Sequence, residues 1–244
     1  MTVKRRGTAA AVGLLVALCC AFGVFAVHRL FVGTELGQTV DQALLEKAEA
    51  LPPVVNHLAH VLLSGFTLPL VLAACLVPPT LALLRRSPWL AAGALVLVAG
   101  ANITTQVLKS YVFERPDLLA LGAPNSLPSG HTTVAASVAL ALAIIAPPVL
   151  RVPTAVAGTG CSLLVGAATI VAGWHRLSDV VAALMVSAAW AGLVFAFVVM
   201  RPRRSDPADP SVLTVPYDRS ATSRGGDTVT IESTARRTRM TVRR

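Results

Sequence analysis

The sequence predicts an all-α fold: a bundle of six transmembrane helices, both termini cytoplasmic, followed by a disordered basic C-terminal tail. Three observations carry this expectation. Of the 244 residues, 55% are hydrophobic and only 14% are charged, whereas a soluble domain carries about a quarter charged. The apolar residues fall into six runs, close to the roughly 20 residues a helix needs to cross the hydrocarbon core. The basic residues gather at the ends of those runs and in the tail, the pattern of cytoplasmic loops. The same numbers argue against a water-soluble globule and against disorder over most of the chain.

The first run, near 9–27, follows Lys4, Arg5 and Arg6. It is longer than the apolar stretch of a signal peptide and reads as an uncleaved first span, so 1–27 is one unit. Residues 28–57 form the first long polar stretch. Val40, Leu44, Leu45, Ala48 and Leu51 give a partial helical stripe among Asp41, Glu46, Lys47 and Glu49, the pattern of an interfacial helix. Pro52 and Pro53 end it. Further runs near 58–84, 89–108, 132–150, 154–173 and 180–200 make up a helical core over 58–200. Prolines 147 and 148 cut the run at 132–150.

Six spans returning the chain to its starting side place Arg85, Arg86, Arg151 and Arg201 in cytoplasmic segments, as the positive-inside rule requires. The opposite face receives 28–57, 109–131 and 174–179. The tail, 201–244, holds ten arginines against five acids, so it carries +5 of the net charge of +9. Its lack of periodicity predicts disorder. The basic excess fits anionic headgroups rather than nucleic acid, for which no motif is present. Cys19, Cys20, Cys75 and Cys161 lie inside apolar runs and read as buried hydrophobes.

The unusual chemistry lies in three short segments. Residues 109–116 read Lys-Ser-Tyr-Val-Phe-Glu-Arg-Pro, residues 128–131 Pro-Ser-Gly-His, and residues 174–179 Trp-His-Arg-Leu-Ser-Asp. Taken singly, each has an ordinary reading. Lys109 and Arg176 suit the end of a span, and a lone histidine suits a membrane boundary. Together, on one face of a helical membrane protein, they form a set suited to phosphate. Lys109 and Arg115 supply positive charge, and arginine binds two oxygens at once. Ser129 and Gly130 fall where a helix should begin, and the free N–H groups of a helix N-terminus bind anions. Gly130 removes the side chain that would block close approach. His131, His175 and Asp179 have no third nearby His or Cys to complete a zinc site.

In these segments the chain resembles the type-2 phosphatidic acid phosphatase (PAP2) family, which shares its site with the vanadium haloperoxidases. The family pattern is Lys-x6-Arg-Pro, then Pro-Ser-Gly-His, then Ser-Arg-x5-His-x3-Asp. Residues 128–131 match the second motif, and His175 with Asp179 matches the end of the third. Two departures stand out. Lys109 and Arg115 are separated by five residues, and Ala168-Thr169 replaces Ser-Arg, so one phosphate-binding arginine is missing. Arg176 is a candidate to replace it.

The resemblance, which covers roughly 55–200, implies a PAP2-like membrane phosphatase. His175 is the nucleophile, Asp179 orients its ring, and His131 is the general acid. Lys109, Arg115, Ser129, Gly130 and Arg176 bind the phosphate, with no metal and no cofactor. The implied substrate is a lipid phosphate or prenyl pyrophosphate: a polyprenyl pyrophosphate, phosphatidate or phosphatidylglycerol phosphate. The implied place is the extracytoplasmic face of the plasma membrane. The alternative is a catalytically weak or inactive lipid-phosphate-binding membrane protein, suggested by Thr169. Six spans argue against a haloperoxidase, and the pattern specifies no oligomeric state.

Other polar residues have packing roles as their first reading. Asn102, Thr104, Thr105 and Gln106 sit late in a span, where polar groups face the bundle interior. Ser126 and Thr132 flank the second motif and could bond phosphate. His57 and His60 read as interfacial. Glu114 and Asp117 have no assigned role.

Overall fold

The computed structural model describes residues 3–122 and 124–201, so the expected disorder of the tail falls outside the described residues. The regular elements among the described residues are helices: α1 (Val3–Val27), α2 (Glu35–Glu49), α3 (Pro53–Ser64), α4 (Leu68–Leu84), α5 (Pro88–Val107), α6 (Gly130–Ile145), α7 (Pro148–Val171) and α8 (Leu177–Met200). Single π turns extend α1 over His28–Val32 and α5 over Leu108–Val112.

Four segments are long and apolar enough to cross a membrane: Lys4–Val32, Pro88–Val112, Pro148–Val171 and Leu177–Met200. The chain is a multi-pass membrane protein. The run 58–84, expected as one span, lies within the pair α3 and α4, bent by 68° at a short break. Gly65 ends α3, and Pro69 opens α4, a break that follows from proline's missing N–H and the restriction it places on its neighbour. The run 132–150 also divides differently from expectation. α6 stops at Ile145, and Pro148 is the first residue of α7, the helical position that proline suits best. Arg151 therefore lies in the first turn of α7 rather than in a loop.

α8 lies at the centre and packs against α1, α5 and α6. Against α1 it closes through Gly13 and Gly192; a Cβ on Gly192 would come within 2.4 Å of the Gly13 carbonyl oxygen. Small residues allow this approach where lipid offers no hydrophobic drive between helices. Leu97 and Val98 of α5, Ala141 and Ile145 of α6, and Ala191 and Val194 of α8 form one core. A second core joins Val24, Phe113, Leu127, Ala182 and Val186 beneath the loop 113–129.

α2 begins at Thr34, whose hydroxyl accepts from Gly37 N at 3.0 Å. The expected apolar stripe does not form a single buried face. Leu45 is buried with Gly37, Gln38 and Asp41, whereas Leu36, Val40 and Leu44 are exposed. Polar Gln38 and Asp41 thus point inward, and an apolar ridge points out. This arrangement suits a helix lying at a membrane interface, where the outer solvent is partly hydrocarbon.

Candidate active site

Three chain segments meet at one end of the bundle. Ser129 caps α6, its Oγ accepting from Thr132 N at 3.4 Å and from Thr132 Oγ1 at 3.0 Å. Ser129 N donates to the Asp179 carbonyl at 3.0 Å. That bond joins the N-termini of α6 and α8. Both positive helix ends converge, and the first N–H groups of α6 have no partner within the helix.

The turn between α7 and α8 carries His175. Trp174 N and His175 N both donate to the Thr169 carbonyl, at 3.0 and 3.2 Å. Gly173 sits at φ +75° with Glu49 against it, a conformation that favours glycine. His175 precedes α8 rather than lying within it, so its contact with Asp179 spans the helix start. His175 Nδ1 lies 3.2 Å from Asp179 Oδ2. The same oxygen accepts from Ser126 Oγ at 2.6 Å and Arg176 N at 2.9 Å. Asp179 is fully buried, and these donors offset the cost of holding its charge there. The His131 ring centre is 6.4 Å from that of His175 and is flanked by Trp174 at 5.4 Å and Phe66 at 5.2 Å.

The cations arrive from two directions. Lys109 lies in the π turn after α5, near enough for its charge to act on His131 and Asp179. Asn125 braces that turn, donating to the Lys109 and Phe113 carbonyls at 3.0 and 2.9 Å. Arg115 follows in extended chain. Its side chain is 3% exposed, with Nη2 3.9 Å from Asp41 Oδ2, while Nε and Nη2 have no hydrogen-bond partner. Burial and the nearby Arg176 charge lower its pKa, against the pull of Asp179 and Asp41. Arg176 is also buried, its Nη2 donating to Gln42 Oε1 at 3.2 Å. Arg115 and Arg176 line one small crevice with Gln38, Gln42 and Pro116.

The structure thus gathers His131, His175, Asp179, Ser129 and Gly130 around the joined helix ends. Arg115 and Arg176 form a pair beside Asp179. Thr169, where the family pattern has arginine, is fully buried and bonds Gly166 O at 2.7 Å. Ser126 and Thr132 serve the scaffold through Asp179 and Ser129. Thr105 pairs with Thr133 at 2.9 Å, Asn102 with Ser137 at 3.2 Å, and Thr104 with Trp190 at 3.0 Å, so the late polar residues of α5 tie helices together. Asp117 caps its own loop through Leu121 N and Gly122 N.

Sequence reasoning missed Gln38, Asp41 and Gln42. Asp41 is fully buried and accepts from Ser178 N at 3.1 Å and from Ser178 Oγ. The signal was present in the spacing: Gly37, Gln38, Asp41 and Leu45 share a helical face. The charge at Asp41 nevertheless suggested the solvated side.

Residues 90–203 match the family model described as PAP2 superfamily. No curated protein matches the chain. The fold is similar to the crystal structure of a transmembrane PAP2-type phosphatidylglycerolphosphate phosphatase from Bacillus subtilis. The TM-score is 0.58 at 20% identity, covering 75% of this chain and 93% of that one.

Proposed function

From residues 90–203, a segment of the PAP2 superfamily, we propose that this membrane protein is a phosphatase for a lipid phosphate or prenyl pyrophosphate. The observation that carries the reading is His175, bonded through Nδ1 to a buried carboxylate and facing His131 across 6.4 Å. A carboxylate on Nδ1 fixes the tautomer and leaves Nε2 as the lone-pair nitrogen.

His175 Nε2 attacks phosphorus, and the bond to the leaving oxygen breaks as His131 gives that oxygen a proton. The phosphohistidine is then hydrolysed by water, whose proton passes to His131, restoring both residues and releasing inorganic phosphate. Charge on the transferred group is met by Lys109, Arg115, Arg176 and the N–H groups at Gly130 and His131. Arg176 takes the place of the arginine absent at Thr169. With these cations in place the reading needs no metal ion.

The same reading sets the membrane arrangement. There are six crossings, with α3 and α4 as one broken span and α6 as a short one of about 24 Å at 1.5 Å per residue. Arg85, Arg86, Arg151 and Arg201 lie at the cytoplasmic side, and the site faces the extracytoplasmic side of the plasma membrane.

The test is phosphate release by purified protein in excess EDTA, offered a polyprenyl pyrophosphate, phosphatidate or phosphatidylglycerol phosphate. Release by wild type and none by folded His175→Ala supports the reading. The missing α7 cation favours one rival, a protein that binds lipid phosphate without turning it over. Binding without release by folded wild type would establish that rival.

A further inference from the structure

We propose that α2, which lies outside the matched segment 90–203, is part of the phosphate site, with Asp41 a positioning residue that holds Arg115 against the start of α8. The inference rests on the reading of Arg115 and Arg176 as phosphate ligands.

Three successive contacts on one side of α2 reach the segments that bear those arginines. Gln38 Nε2 donates to the Pro116 carbonyl at 2.7 Å, next to Arg115, and to the Val32 carbonyl at 2.8 Å. Asp41 takes both the N–H and the hydroxyl of Ser178, two residues after Arg176, and its Oδ2 lies 3.9 Å from Arg115 Nη2. Gln42 Oε1 accepts from Arg176 Nη2 at 3.2 Å. Arg115 and Arg176 come from separate parts of the chain, and two buried guanidinium groups repel each other. A fully buried carboxylate, held by Ser178 and 3.9 Å from the Arg115 guanidinium, supplies compensating charge. It does so without occupying the arginine: both oxygens of Asp41 are engaged by Ser178, and Arg115 Nε and Nη2 remain without hydrogen-bond partners. Those donors are therefore available to a phosphate.

α2 is itself tightly placed. A Cβ on Gly37 would lie 2.0 Å from the Leu30 carbonyl oxygen, so the helix sits directly on the π turn after α1. Its position, and with it the spacing of the arginines, is set by the N-terminal part of the chain. Arg176, which in this view replaces the missing arginine of α7, is paired with Arg115 by an arrangement that depends on α2 for its assembly.

The test uses Asp41→Asn, which keeps an acceptor and a donor for Ser178 but removes the charge facing Arg115. Glu35→Gln, an exposed acid on the same helix, is the control for net charge. The measurements are melting temperature, steady-state kinetics and binding of inorganic phosphate by calorimetry. Asp41→Asn should weaken phosphate binding and raise KM about tenfold, the scale of a displaced charged hydrogen-bond donor. kcat should stay within about threefold and melting should be little changed. In an Arg115→Gln background, Asp41→Asn should add no further loss, because its effect passes through Arg115. Phosphate affinity that is unchanged or raised in Asp41→Asn, or a loss that persists undiminished beside Arg115→Gln, would overturn the proposal. If wild type binds phosphate but turns over no lipid, the phosphatase reading fails while the binding comparison still decides the role of Asp41. Absence of phosphate binding by folded wild type overturns both.

Discussion

Replacing Gly130 by alanine separates substrate space from protein packing. Gly130 is the first residue of α6, and its nearest neighbour to an added Cβ is Gln106 Nε2 at 3.7 Å. That is ordinary contact, so the protein accommodates the methyl group without moving. Alanine in place of glycine in a helical conformation is favoured by roughly 0.5–1 kcal/mol, which predicts melting unchanged or raised by about 1–4 °C. The methyl group would project beside the free N–H groups of the helix start. There it would hold a phosphate oxygen away from its donors. Loss of one preorganised donor costs about 10²-fold in rate, so turnover should fall at least tenfold, up to about that limit. The assay pairs phosphate release with a thermal melt on the same preparation. Full activity in a folded Gly130→Ala protein would refute the placement of the phosphate at the α6 N-terminus. A lower melting temperature would refute the packing argument.

Other substitutions probe the frame around the site. Thr169→Val removes the hydroxyl bonded to Gly166 O but keeps the volume; melting should fall by less than about 1 kcal/mol equivalent, with turnover retained, as expected of a position that does not contact substrate. Gly100→Ala would place a Cβ 2.7 Å from the Trp190 ring. It should cost about 1–3 kcal/mol by overpacking, read as a lower melting temperature and an altered near-ultraviolet dichroism signal. Burial raises the Asp41 pKa, and Asp179 adds to this, while the Ser178 bonds and Arg115 oppose it. The folded chain then holds this proton over a pH range where the unfolded chain has lost it. Stability from this group is full below the ordinary carboxylate pKa and declines as pH rises towards the raised value. Asp41→Asn should flatten that part of the melting-temperature profile against pH. Arg176→Gln should raise KM about tenfold, because it removes one of the paired cations; an unchanged KM would remove Arg176 from the site.

Much of the site was legible because its chemistry is local. The Ser129 cap and the α6 start at Gly130 follow from Pro-Ser-Gly-His before an apolar run. The contact of His175 with Asp179 follows from four-residue spacing, although it forms across a helix start rather than within a helix. The long apolar helices were legible for the same reason, since length and hydropathy decide them. The break between α3 and α4 was harder to foresee, because Gly65 and Pro69 sit inside a stretch whose composition is apolar throughout. The role of α2 was hidden more deeply. Leu45 faces the protein, while Val40 and Leu44 do not, and hydropathy alone cannot tell a lipid-facing leucine from a core leucine. Asp41 finds its partner Ser178 at 137 residues' separation, a distance over which no short motif carries information.

The outward ridge of Leu36, Val40 and Leu44 gives α2 a double allegiance. On the proposed interfacial placement of α2, one side answers to the headgroup region and the upper acyl chains, and the other holds Asp41 and Gln42 against Arg115 and Arg176. Lateral pressure, leaflet composition or a detergent collar acts on the first side, and the same rigid helix presents the second. On the proposed function, kinetic constants would belong to a protein and its surrounding lipid together. A comparison of nanodiscs that differ only in lipid packing is the natural setting in which to measure them.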